Sequence, residues 1–164
     1  MLPGVRLVYF AVIAILLACA QHGRLAWWGL APDLPLALAA WSMVDGDDEG
    51  VVVRPWLVGL CRDLVAPGLG AGGGCYYTIA YGCLGLCFLP LRSWLFRSRA
   101  IAWGGWAFIC SALLTLVDSR LGGISVSGGF LLAIACLTAA AAMVIGWLFG
   151  GLPLWLRPLR TGGA

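Results

Sequence analysis

Four stretches of this chain carry no acidic or basic side chain apart from its single histidine: residues 7–23, 64–91, 100–117 and 121–156. These runs constrain the fold most, because about 20 apolar residues in a helix cross the hydrocarbon core of a bilayer. Within 64–91 the second half, residues 75–89, reads as the span; 121–156 holds one long span and a hydrophobic tail. Charged residues make up 10% of the 164 and mean hydropathy is +0.98, whereas a soluble domain is about a quarter charged. A surface so poor in charge does not stay in water, so lipid is the natural solvent. The length suits one domain.

Two further segments are shorter. Residues 34–44, LPLALAAWSMV, cannot extend cleanly backwards past Pro32 and Pro35, and they end at the acidic DGDDE of 45–49, which belongs in water. Residues 51–65 contain Arg54 near their start. Each alone reads as a full or a re-entrant span; together they make a tight helical hairpin. The expected fold is an all-α integral membrane protein, a bundle of six transmembrane helices near 5–21, 33–44, 51–65, 75–91, 100–117 and 128–149.

Arginine sets the expected orientation. Arg92, Arg97 and Arg99 share one short loop, which the positive-inside rule places in the cytoplasm. Arg157 and Arg160 fall on the same side if two spans intervene, and Arg6 follows at the other end, so both termini are expected inside. Seven of the ten arginines then lie at cytoplasmic ends, counting Arg54. Trp94, Trp103 and Trp155 fall at the inner interface and Trp27, Trp28, Tyr76 and Tyr77 at the outer, an aromatic belt. In the last span Thr138, Ala142, Gly146 and Gly150 recur every fourth residue. Such a face of small side chains admits a close neighbour, although the pattern also arises by chance in an Ala- and Gly-rich helix.

The remaining signals point away from familiar chemistry. Net charge +3 is spread along the chain, giving no nucleic-acid footprint. Gly68, Gly70 and Gly73 match G-x-G-x-x-G, but no strand precedes them and no GK[ST] follows, so a flexible turn is the better reading. Cys83 and Cys87 lie one helical turn apart without a histidine to join them, and His22 stands alone, so no metal site or other cofactor is expected. Residues 16–19, LLAC, resemble a lipobox; lipidation of Cys19 would remove the first span and leave an odd count, so an uncleaved helix is expected. Asp63 and Asp118 both end helices on the expected outer side. Two facing carboxylates there could activate water as in an aspartic peptidase, but LTLVDSRLGG lacks the signal-peptidase pattern, and Arg62 and Arg120 offer a structural pairing instead.

The order of pieces resembles a family. Pro32-Asp33-Leu34 opens one hydrophobic stretch; Gly59-Leu60-x-x-Asp63-Leu64 precedes a turn and Leu69-Gly70; an apolar span then leads to the basic loop LRSWLFRSR. This layout is similar to the rod shape-determining protein MreD. It departs from that pattern in a turn about one residue shorter, without the family's serine and unusually rich in glycine. The resemblance implies a non-enzymatic membrane scaffold of the bacterial elongation machinery. It would be partnered by an MreC-like protein and act with MreB and the peptidoglycan synthases. It also implies a six-helix fold similar to the substrate-binding components of energy-coupling transporters. By resemblance Gly59, Asp63 and Gly70 are motif positions with structural or partner-contact roles. A transporter component binding a small molecule is the first alternative; few polar side chains lie mid-span (Thr78, Ser111, Thr115, Thr138), which disfavours a hydrophilic ligand.

Overall fold

The computed structural model describes residues 3–22, 30–45, 50–65, 74–95, 99–121 and 126–150. They form six α-helices and, among the described residues, no strand: α1 (Pro3–His22), α2 (Leu34–Asp45), α3 (Gly50–Val65), α4 (Tyr76–Leu95), α5 (Arg99–Leu121) and α6 (Gly128–Gly150). One helix lies on each of the six segments picked out by hydropathy. Gly70 and the rest of the glycine loop at 66–73 lie outside the described residues, as do 46–49, 96–98 and 151–164.

Local chemistry explains the boundaries. Asp33 caps α2, its Oδ1 accepting from the Leu36 amide at 3.0 Å, and Pro35 sits in the first turn, where its missing N–H costs nothing. Pro55 and Pro90 lie inside α3 and α4. Two helices are long and apolar enough to cross a membrane, 102–121 of α5 and 128–149 of α6; the apolar parts of α1, α2 and α4 are shorter. At 12 residues and 1.5 Å per residue, α2 spans only about 18 Å.

Despite its length α2 is the centre of the bundle and touches all five other helices. Residues 35–40 and 42–44 are buried. Its start is sunken. The Asp33 amide donates to Thr138 Oγ1 at 3.0 Å, and the Ser111 hydroxyl lies 3.4 Å from the same oxygen. Thr138 is ten residues from the start of α6 (138 − 128) and Ser111 ten from the end of α5 (121 − 111), so α2 begins about 15 Å below those ends.

Many small side chains lie inside, among larger ones such as Tyr81 and Phe88, and several large apolar ones lie outside. Ala14, Ala37, Ala39, Ala40, Ala107, Ala135 and Ala142 are fully buried, while Leu64, Ile79, Leu121 and Trp147 are each more than 60% exposed. Small residues inside let backbones approach, and large apolar residues outside suit a hydrocarbon solvent.

Candidate functional site

Asp33, Arg62, Asp63, Tyr77, Thr78 and Tyr81 converge where α3 and α4 meet beside the sunken start of α2. Asp63, two residues from the end of α3 (65 − 63), reaches across to the first turn of α4. Its Oδ1 accepts from the Tyr77 amide at 3.1 Å; its Oδ2 accepts from the Thr78 amide at 2.8 Å and the Thr78 hydroxyl at 2.7 Å. It therefore caps the neighbouring helix: a carboxylate serves amides that have no intrahelical partner, at the positive end of the α4 dipole. Gly59, one turn earlier, makes this reach possible. A Cβ there would stand 2.7 Å from the Tyr77 carbonyl carbon and 2.8 Å from Thr78 Cα. One further contact of the same kind, where a Cβ on Gly85 would stand 2.7 Å from the Val51 carbonyl oxygen, clamps the other end of the α3–α4 pair.

Arg62 points elsewhere. Neighbouring residues on a helix lie about 100° apart, so Arg62 and Asp63 do not face each other. The Arg62 guanidinium turns into the bundle, lies 3.7 Å from the centre of the Tyr77 ring, and pairs with Asp33 while donating to the Tyr81 hydroxyl. Tyr81 is fully buried and its hydroxyl also approaches Asp33 Oδ1, at 3.4 Å. Gln21 of α1 closes the group by accepting from the Leu34 amide at 3.0 Å. The long arginine side chain thus fills the space above α2 and neutralises the acid that caps it. Stripped of one partner, either ion would be left desolvated in the bundle.

Asp118 of α5 stands on the far side of Tyr77, whose hydroxyl donates to it at 3.5 Å. Tyr76 lies close enough to interact with the same carboxylate, but its buried hydroxyl reaches no hydrogen-bond geometry. Asp63 and Asp118 so meet Tyr77 at opposite ends, one at its amide and one at its hydroxyl.

Of the small-residue positions on α6, Thr138, Ala142 and Gly146 are buried inside the bundle. A Cβ on Gly146 would come within 2.6 Å of the Trp103 ring of α5, so this face seats α5 and α2. The surroundings of Gly150 lie outside the described residues. Cys19 is exposed within an unbroken α1, and all seven cysteines are free. No three His, Cys, Asp or Glu side chains gather as a metal would need, among the described residues.

Sequence reasoning missed the ion pair. Asp33 was read as a helix start and Arg62 as company for the acids at the boundary. No pattern links two residues 29 apart on different helices. Tyr81, a lone hydroxyl mid-span, was the available signal, because a buried tyrosine needs a partner. No protein-family model, curated protein or solved structure matches the chain.

Proposed function

We propose that this chain is a non-enzymatic, six-span scaffold of the bacterial cytoplasmic membrane. In this reading it works in the elongation machinery that maintains rod shape and peptidoglycan synthesis, with an MreC-like protein as partner. The observation that carries the reading is Asp63. In the segment that resembles MreD, both its carboxylate oxygens hold the first amides of α4, and Gly59 sets the close crossing that lets them do so. A carboxylate that activates water needs a free oxygen facing its partner acid. Here the motif is a joint between helices, which suits a protein whose task is to hold a shape for others. With the arginine-rich stretch at 92–99, the end of α4 and the start of α5, in the cytoplasm, the Asp63 joint and the sunken start of α2 face outward, and both termini face inward.

The test is mild-detergent purification of the tagged protein from its native membrane, with cell shape followed on depletion. Recovery of an MreC-like protein and rounding of the cells are the expected results. Normal rods together with no elongation component in the eluate would remove the reading. A transporter binding component is the second reading, favoured by the polar group of Arg62, Asp33 and Tyr81 below the outer ends of α5 and α6. It predicts that an ATPase module, rather than a shape protein, comes along.

A further inference from the structure

Three acids stand at the end of the bundle where α2 begins, and they are not served alike. Asp33 pairs with Arg62 and accepts from the Leu36 amide. Asp63 accepts from two amides and a hydroxyl, at 2.7 to 3.1 Å. Asp118 accepts one long bond, from the Tyr77 hydroxyl at 3.5 Å, and among the described residues no basic side chain pairs with it. Arg62 acts on it from beyond ion-pair distance and is already committed to Asp33. Arg120, two residues further along α5, is exposed, and positions two apart on a helix do not face each other.

What surrounds Asp118 instead is aromatic. Tyr76 and Tyr77 open α4, with ring centres 5.0 Å apart and ring planes at 72°. The Tyr76 hydroxyl is buried beside the same carboxylate and has no hydrogen-bond partner, although a buried tyrosine ordinarily finds one. A carboxylate, two phenol oxygens and two ring faces thus gather around one uncompensated negative charge. Asp118 is half-buried and lies three residues from the end of α5 (121 − 118), about 5 Å along the helix, so the end of the bundle gives access to it. An acid held this way in a membrane helix calls for a partner of opposite sign.

We infer that Asp118, Tyr76 and Tyr77 form a receiving site for a cationic group that carries N–H donors, a primary ammonium or a guanidinium. One N–H of the group donates to Asp118 and a second to the Tyr76 oxygen, and its carbon atoms rest against the tyrosine rings, whose faces attract positive charge. A bare metal ion fits less well, because a hard cation asks for about six oxygen ligands and a single carboxylate stands here. The cation is either a free small amine or a basic side chain of a partner; the chemistry of the site is the same for both. The inference rests on the unequal service of the three acids and holds whichever machinery the protein serves.

Fluorine NMR tests it on the full chain in lipid nanodiscs. The chain has 4 tyrosines, Tyr9, Tyr76, Tyr77 and Tyr81, so 3-fluorotyrosine gives few resonances, assigned by single Phe substitutions. The probes are methylammonium and methylguanidinium chloride; sodium chloride and tetramethylammonium chloride, which lacks N–H donors, are the controls at matched ionic strength. Both probes should shift the Tyr76 and Tyr77 resonances saturably, leave Tyr9 in place, and do so where the controls do not. Asp118→Asn should weaken the probes about tenfold or more, the weight of a hydrogen bond to a charged group, and Tyr76→Phe, read at Tyr77, about two- to tenfold. The same spectrum taken on membranes of the labelled cells separates the sources. A Tyr76 resonance already at its probe-bound position and unmoved by methylammonium supports the site with a partner's side chain in it; one that moves as in nanodiscs supports it with a free amine as ligand. No saturable shift of Tyr76 and Tyr77 with either probe, an equal shift with sodium or tetramethylammonium, or full binding by folded Asp118→Asn overturns the inference and leaves Asp118 served by water alone.

Discussion

Replacing Asp63 by leucine should loosen the joint between α3 and α4, and the structure sets the scale. Tyr77 and Thr78 are buried, at 6% and 4% exposure, and both their amides as well as the Thr78 hydroxyl lean on this one carboxylate. A buried donor left unserved costs about 1–3 kcal/mol, while truncating a helix cap in soluble proteins costs about 0.5–2 kcal/mol because water finds the freed amides. Asp63 itself is half-buried, so some water reaches this end, and about 2–3 kcal/mol is expected for leucine. Asparagine keeps one oxygen for the Thr78 amide but turns an N–H group towards that of Tyr77, and should cost about 1 kcal/mol. Denaturation of the purified protein in mixed micelles of rising SDS fraction, followed by far-UV circular dichroism, measures both. Leucine within about 0.5 kcal/mol of the parent, or asparagine as damaging as leucine, would refute the capping argument. The pair also separates structure from chemistry: an essential catalytic carboxylate would leave asparagine as inactive as leucine while the protein stayed folded.

Three other outcomes are expected. Gly59→Ala should destabilise more than Gly104→Ala, because the first new methyl meets the backbone of Thr78 at 2.8 Å and the second only the flexible Met143 side chain; Gly146→Leu, forced onto the Trp103 ring, should cost about 1–3 kcal/mol or more, and equal thermal midpoints for all three would count against these crossings. Arg62→Met should strand the mostly buried Asp33, 13% exposed, at about 3 kcal/mol, and adding Asp33→Asn, which keeps the α2 cap, should recover most of it; a double variant worse than either single would contradict the pairing. A reporter active only in the cytoplasm, fused after Ala164, should be active if the arginines orient the chain, and activity of the periplasmic reporter alone would reverse the orientation.

Much of the architecture was legible in the sequence because each helix lies on an apolar run that hydropathy marks directly. The runs at 100–117 and 128–149 needed only counting, and even the short α2 announced itself through Pro32, Pro35 and the acidic turn. The Gly59–Asp63 spacing was readable as one face of a helix, since four residues make about one turn. Which helix that face meets was not, because adjacency in a bundle depends on packing between segments far apart in the chain. The same limit hid the ion pair of Arg62 and Asp33, and the division of labour at Tyr77, whose amide serves one acid and whose hydroxyl another. The α6 stripe showed where a helix could come close; that α5 and α2 of the same chain fill it depended on side-chain size at Trp103.

If the chain spans a membrane as proposed, the sunken start of α2 bears on how the protein is made. A 12-residue segment is too short to be handed stably to the bilayer as a span in its own right, and its cap carries a charge whose counter-ion, Arg62, is encoded 29 residues later (62 − 33). At about 5–20 residues per second of synthesis, that partner arrives some seconds after Asp33. Thr138, which receives the Asp33 amide, comes later still. In the proposed six-span arrangement α2 would wait at the insertion site, or in the polar interface, until α3 emerges, and the two would enter as a hairpin. The centre of the mature bundle is in this sense among the last of its parts to be secured, and a ribosome stalled before Arg62 would hold a chain whose central helix has no place to go.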